Sequence, residues 1–209
     1  MEWDKFIQIS RKLPVIAREH LLVGSSDPSS LEVQLSRWKK AGKIIQLKRG
    51  VYLLAEPYGK IEIYEPFIAS VLKRPSYISL EKALEYHNLI PEAVTVYTSV
   101  TTKRNARFES EVGIFDYKHI KQSLFWGYNA ITVNKQTAFF ASPEKALLDF
   151  FYLKKFAISL DYLSEMRLQN LEKIDVKKLF EFAKRFNKPK LIAVTKMLKE
   201  YALLHTEEN

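Results

Sequence analysis

Residues 29–54 read Ser29-Ser-Leu-Glu-Val-Gln-Leu-Ser-Arg-Trp-Lys-Lys-Ala-Gly-Lys-Ile-Ile-Gln-Leu-Lys-Arg-Gly-Val-Tyr-Leu-Leu54. The pattern is one helix, a glycine stop and a tight hairpin. Ser29 followed by Glu32 has capping-box spacing. Asp27 before Pro28 is a competing N-cap, because proline suits the first helical position. Leu31, Leu35 and Trp38 fall at i, i+4 and i+7 and make one apolar stripe, with Ala41 beside it. Ser29, Val33, Ser36, Arg37 and Lys40 point away from that stripe. Gly42 suits the position after the helix end. Ile44, Ile45 and Leu47, then Val51 to Leu54, are β-formers around Lys48-Arg49-Gly50, where glycine supplies the positive φ of a tight turn.

Charge gives this stretch a partner. Arg37, Lys39, Lys40, Lys43, Lys48 and Arg49 follow one another with no Asp or Glu between them. A helix fits the major groove of B-DNA, and a basic hairpin beside it meets the backbone. This is the winged helix-turn-helix arrangement. On that reading Arg37 and Lys40 reach base edges or flanking phosphates, and Ser29, Ser30 and Ser36 bond phosphate oxygens. Val33 touches a thymine methyl, and Gln34 lies on the flank of the helix. Lys48 and Arg49 form the wing tip on backbone or minor groove. The competing reading is a protein-interaction module whose basic helix docks another protein.

The rest of the composition fits a DNA partner. The chain has 209 residues and a net charge of +9, which favours an anionic partner without naming it. Residues 1–54 hold ten cations against five acids, and the remaining residues hold 23 against 19. There is no Cys, which excludes disulfides and thiolate chemistry and is compatible with a reducing compartment. No run of about 18 apolar residues occurs, so no membrane span is expected. Met1-Glu2-Trp3-Asp4 is acidic and not apolar, so no signal peptide is expected. A cytoplasmic protein is expected.

Outward from the deciding stretch, the expected fold class is α+β. A winged helix-turn-helix domain over residues 1–56 precedes a mixed α/β domain over residues 60–209 with antiparallel strands and C-terminal helices. Trp3 to Leu13 reads as a helix with Trp3, Phe6, Ile7 and Ile9 inward. Val15 to Leu22 reads as a second helix, and Gly24 to Pro28 as the turn before the third. Ala55 to Gly59 breaks the pattern and marks the boundary. Helices are expected over Glu65 to Leu72 and from Ser79, the latter with Ser79 as N-cap. Strands are expected at Pro75 to Ile78, Val94 to Thr101, Arg107 to Glu109, Gly113 to His119, Tyr128 to Val133 and Thr137 to Phe140. Ser142-Pro143 opens a helix, followed by helices at Leu160 to Leu168, Val176 to Phe186 and from Pro189. Two further basic groups stand out, the turn Lys103-Arg104-Asn105 and the cluster from Lys177 to Lys190.

Catalytic chemistry is not visible. His20, His87, His119 and His205 have no metal-ligand spacing. No phosphate-binding glycine loop or nucleophile elbow occurs. Glu144 and Asp149 are five apart on one helix and do not face each other. Glu144 reads as a first-turn carboxylate favoured by the helix dipole, and Asp149 as a buried polar contact. No enzyme activity, metal or cofactor is expected.

Three stretches together resemble the AbiEi family. They are Leu35-Ser-Arg-Trp-Lys-Lys-Ala-Gly-Lys-Ile44 with the hairpin Lys48-Arg-Gly-Val-Tyr52, then Pro75-Ser-Tyr-Ile-Ser-Leu-Glu-Lys-Ala-Leu84, and Ala141-Ser-Pro-Glu-Lys-Ala-Leu-Leu-Asp149. The resemblance covers roughly residues 29–153. It implies an antitoxin of a bacterial type IV toxin–antitoxin (abortive infection) system, with a winged helix that binds inverted repeats in its own promoter and represses the operon. The implied functional partner is a nucleotidyltransferase-like toxin, with no stable complex between the two. The alternative is a solitary winged-helix regulator or an interaction module without a toxin.

Overall fold

The computed structural model describes residues 1–22 and 28–206. The fold is mixed α+β. Its first part contains α1 (Trp3–Ser10), β1 (Ile16–Ala17), α2 (Arg18–Leu22), α3 (Pro28–Lys40) and the hairpin β2 (Ile44–Lys48) and β3 (Val51–Leu54). The three strands form one antiparallel sheet in the order β1-β3-β2.

The expected apolar stripe drives this packing. Leu31, Leu35 and Trp38 are buried with Phe6, Ile16, Leu21, Ile44 and Tyr52. Aromatic rings hold α1 to α3: Phe6 lies 4.6 Å from Trp38, and Trp3 lies 5.0 Å from Trp38. Edge-on and tilted aromatic pairs of this kind add to plain area burial. Gly42 and Gly50 carry the positive φ their turns require, +67° and +79°.

Four expectations about this part need correction. Val15 to Leu22 is not one helix. Ile16 and Ala17 pair with Tyr52 and Val51, and Arg18 N–H donates to Gly50 O at 2.8 Å. Pairing with β3 satisfies backbone groups and buries Ile16, and β-branched Ile16 suits a strand. The first helix stops at Ser10, and Ile9 is 44% exposed rather than inward. Ala41 is exposed beyond the end of α3. Ser29 lies inside α3, which begins at Pro28, and Glu32 pairs with Arg18 at 2.5 Å. The competing cap Asp27 lies outside the described residues, as does most of the expected Gly24 to Pro28 turn.

The second part is built on a six-stranded mixed sheet. Its strands are β4 (Ser76–Ile78), β5 (Val96–Thr101), β6 (Ala106–Ser110), β7 (Gly113–His119), β8 (Tyr128–Val133) and β9 (Gln136–Ala141), in the order β6-β7-β5-β4-β9-β8. Two of its pairings, β4 with β9 and β5 with β7, are parallel, so the expectation of antiparallel strands is met only in part. The helices α4 (Glu65–Leu72), α5 (Leu80–Tyr86), α6 (Pro143–Leu153), α7 (Leu160–Glu165), α8 (Val176–Phe186) and α9 (Pro189–Thr206) complete it. Strand residues alternate between faces. Tyr117 meets α4, its hydroxyl donating to Ala69 O at 2.6 Å. Tyr77 points the opposite way, toward α6. No helix among the described residues is long and apolar enough to cross a membrane.

The hairpin β2–β3 serves both cores. Tyr52 packs with α1 and α3, while Val51 and Leu53 join the larger core of the six-stranded sheet. One slip breaks the alternation. Gln46 pairs with Tyr52 and Lys48 with Val51, so Leu47 is an extra residue on β2. Such a bulge re-aims the side chains that follow it.

Candidate nucleic-acid interface and a buried ion-pair network

The outward face of α3 is a single stripe. Ser29, Val33, Ser36, Arg37 and Lys40 are all exposed, and Ser30 and Gln34 on its flanks are half-buried. This follows from the helical period, since the buried Leu31, Leu35 and Trp38 occupy the other side. Neither Arg37 nor Lys40 has a carboxylate partner among the described residues. Nearby cations are otherwise engaged. Lys39 donates to Gln46 Oε1 at 2.8 Å, and Lys43 sits 4.7 Å from the centre of the Trp3 ring.

A polar groove of about 260 Å3 separates α3 from the hairpin, with Ser36 and Lys39 on the helix side and Arg49 at the turn. Arg49 is exposed and has no carboxylate partner among the described residues. The structure thus brings Arg49 alongside α3, across a gap that Arg18 and Glu32 close with their ion pair.

Lys48 does not join them. Its ammonium donates to Leu72 O at the end of α4, at 2.7 Å. The bulge at Leu47 explains this. Unbroken alternation would turn Lys48 to the same side as Gln46, toward α3, but the extra residue turns it toward the second part of the chain. Burial lowers the Lys48 pKa from its ordinary value; Glu19 opposes that shift, and Lys73 and Arg74 add to it. Lys73 and Arg74 are therefore cations beside the hairpin that the sequence reading passed over. Arg74 is exposed, with its Nε donating to Ser70 O at 3.2 Å. Their only signal in the sequence is a basic pair at the end of a helix.

A second cluster lies deep in the other core. Lys145 and Asp149, one turn apart on α6, form an ion pair with both side chains fully buried. Tyr77 and Ser79 hydroxyls each donate to Asp149 Oδ2 at 2.9 Å, and Lys145 Nζ also reaches Tyr77 OH at 2.8 Å. The ammonium is further cradled by the rings of Trp126 and Phe186, at 4.9 and 4.7 Å. Burial pushes the Lys145 pKa down and that of Asp149 up, each opposed by the charge of the other. A buried pair survives this desolvation only with good geometry and additional hydrogen bonds, which Tyr77 and Ser79 supply. Ser79 is the residue before α5, but its hydroxyl serves Asp149 and not the helix end.

Glu144 is also buried. Its neighbour Ser142 accepts from Lys145 N–H as an N-cap and donates to Glu144 at 2.7 Å, and Lys178 pairs with Glu144 at 2.7 Å. Burial raises the Glu144 pKa, but the hydrogen bonds from Lys178 and Ser142 outweigh it and hold the carboxyl below its ordinary range. The basic cluster from Lys177 to Lys190 is accordingly divided. Lys178 serves Glu144, Arg185 stacks over Trp126 at 4.1 Å, and Lys190 donates to Lys154 O and Phe156 O.

The last two of the three resembling stretches meet in this network, since Tyr77 and Ser79 come from one and Lys145 and Asp149 from the other. No protein-family model matches the chain, and no curated protein matches it.

Proposed function

We propose that this chain is a DNA-binding transcriptional repressor of the AbiEi type, acting as the antitoxin of a type IV toxin–antitoxin system and controlling its own operon. The element order α1-β1-α2-α3-β2-β3, with sheet order β1-β3-β2, supports a winged helix-turn-helix reading. In that reading α3 is the recognition helix and the β2–β3 turn is the wing.

One observation carries the DNA-binding part of the proposal, and the antitoxin part rests on the resemblance. Arg37 and Lys40 stand on an exposed helix face, Arg49 stands across a narrow groove from that helix, and none of the three is neutralised by a carboxylate among the described residues. Exposed cations kept free of acids on a helix sized for the major groove are what phosphate recognition needs. Val33, 49% exposed at the middle of the same face, is an apolar contact for a thymine methyl. Ser29, Ser30, Ser36 and Gln34 complete the face as polar contacts. Lys48 acts on the hairpin's position rather than on the duplex.

The test is a salt titration of binding to the chain's own upstream DNA, with competitor present. Three phosphate contacts per bound copy give a slope of log affinity against log salt of about −3. Arg37→Ala with Lys40→Ala should reduce that slope by about two. An unchanged slope would remove α3 from the interface.

A further inference from the structure

The six-stranded sheet leaves one face only partly covered. There α5 and α6 shelter one side of an open cleft of about 760 Å3, with β5, β6 and β7 forming the floor. This volume falls in the range of small-molecule sites. Nothing in the DNA reading uses it.

The cleft has two halves of different chemistry. Leu80, Val96, Phe150 and Leu153 make an apolar wall. Lys155, exposed, and Lys154, half-buried with its ammonium 4.2 Å from the centre of the Phe150 ring, stand at its rim at the end of α6 with no carboxylate partner among the described residues. The remaining cations are different. Arg107 is paired with Glu109 at 2.7 Å and Lys118 with Asp116 at 2.9 Å. The net demand for an anion therefore sits at Lys154 and Lys155, while Glu81 offers an acceptor farther along.

The apolar wall is held in an unusual conformation. Leu80 has a φ of +59°, an outlier for a bulky side chain. Its neighbours fix it in place. Thr98 Oγ1 donates to Ser79 O at 2.8 Å and accepts from Lys82 N–H at 3.0 Å, and Ser79 Oγ is tied to Asp149. Strain of this kind persists only where the surroundings over-determine it, and it gathers at ligand sites. The buried ion-pair network thus also braces the cleft.

From this geometry we infer that the cleft binds a nucleoside phosphate. Its phosphates lie against Lys154 and Lys155, its flat base lies on the half-exposed Val96 and Leu153 side of the wall, and its hydroxyl or amino donors meet Glu81. A bare phosphate leaves the apolar wall and Glu81 unused, and an uncharged nucleoside leaves the two lysines unused.

The test is calorimetric titration of the full chain with ATP, AMP, adenosine and inorganic phosphate. ATP and AMP should bind in the micromolar to millimolar range, and adenosine and phosphate at least about tenfold more weakly. Lys154→Ala with Lys155→Ala, both on the rim and checked for folding by circular dichroism, should weaken ATP at least about tenfold. Glu81→Gln should weaken AMP while leaving phosphate unchanged. No binding of ATP or AMP up to about 10 mM would overturn the inference. So would phosphate binding as tightly as AMP, or ATP binding that the lysine variant leaves intact. Failure of DNA binding leaves every one of these outcomes readable, because no residue is shared with α3 or the β2–β3 turn.

Discussion

The α3 face and the α6 interior hold charges of the same kind in opposite surroundings. Arg37 and Lys40 are exposed to water and have no carboxylate partner among the described residues. Lys145 has lost all of its water and has Asp149, Tyr77 and two aromatic rings instead. An exposed cation contributes little to the fold because water screens it, so its value is open to a partner. A buried cation is fully committed, because leaving it unpaired costs several kcal/mol. Lys48 stands between the two. It lies in the hairpin that carries Arg49, yet a backbone carbonyl of the second core has taken its charge.

The largest effect expected from this contrast is in the interior. Asp149→Ala strands the Lys145 ammonium with no carboxylate and should cost about 3–5 kcal/mol in urea unfolding. Lys145→Met combined with Asp149→Leu should recover only part of that loss, because it removes the charge desolvation penalty but leaves the buried Tyr77 and Ser79 hydroxyls without their acceptor. If Asp149→Ala is no worse than a typical surface change, the network does not hold the core and the comparison breaks. Arg37→Ala, by contrast, should leave stability within about 0.5 kcal/mol.

A smaller effect separates Lys48 from Arg49. Lys48→Ala removes a charged donor from a carbonyl at the end of α4 and should lower stability by about 1 kcal/mol. It should leave the salt slope of DNA binding where it was. Arg49→Ala should do the reverse, lowering the slope by about one with stability unchanged. The opposite pattern would put Lys48 on the duplex and make its contact with Leu72 incidental.

This pair also shows where sequence reasoning stops. Element positions were legible because they rest on local periodicity: α4 and α8 span the residues that the apolar pattern picks out, and Gly50 marks the hairpin turn. The α3 face was legible for the same reason, since three buried residues at helical spacing fix the other side. The strand at Ile16 was not, because a two-residue strand has no period of its own and exists only by pairing with β3. The bulge at Leu47 was not, because register depends on the partner strand. Asp149 read as a buried polar contact, but i,i+4 spacing to Lys145 is the same for a surface pair. Its other partners come from Tyr77 and Ser79, 72 and 70 residues away, a distance no local pattern spans. The cleft is assembled from four separate regions of the chain and leaves no contiguous signal at all.

The smallest expected effect is a dependence on pH, and it distinguishes two titrating groups near the interior network. Burial holds His87 below its ordinary pKa of 6.5, partly offset by the bond of its Nε2 to Ala141 O at 2.8 Å. A histidine depressed in the folded state favours the native chain above about pH 6.5, and that advantage is lost as pH falls through the folded value. Glu144 is also held below its ordinary range, so its contribution is present above about pH 4.5 and is lost only in stronger acid. The melting temperature should therefore decline in two stages on acidification. His87→Gln, whose amide can still donate to Ala141 O, should flatten the first stage, which begins as pH falls below about 6.5, and leave the second. Glu144→Gln should do the opposite. Binding of DNA by α3 should follow neither variant at pH 7, since both groups belong to the other core. A shift in DNA affinity with His87→Gln would mean that the two regions are coupled through the hairpin they share.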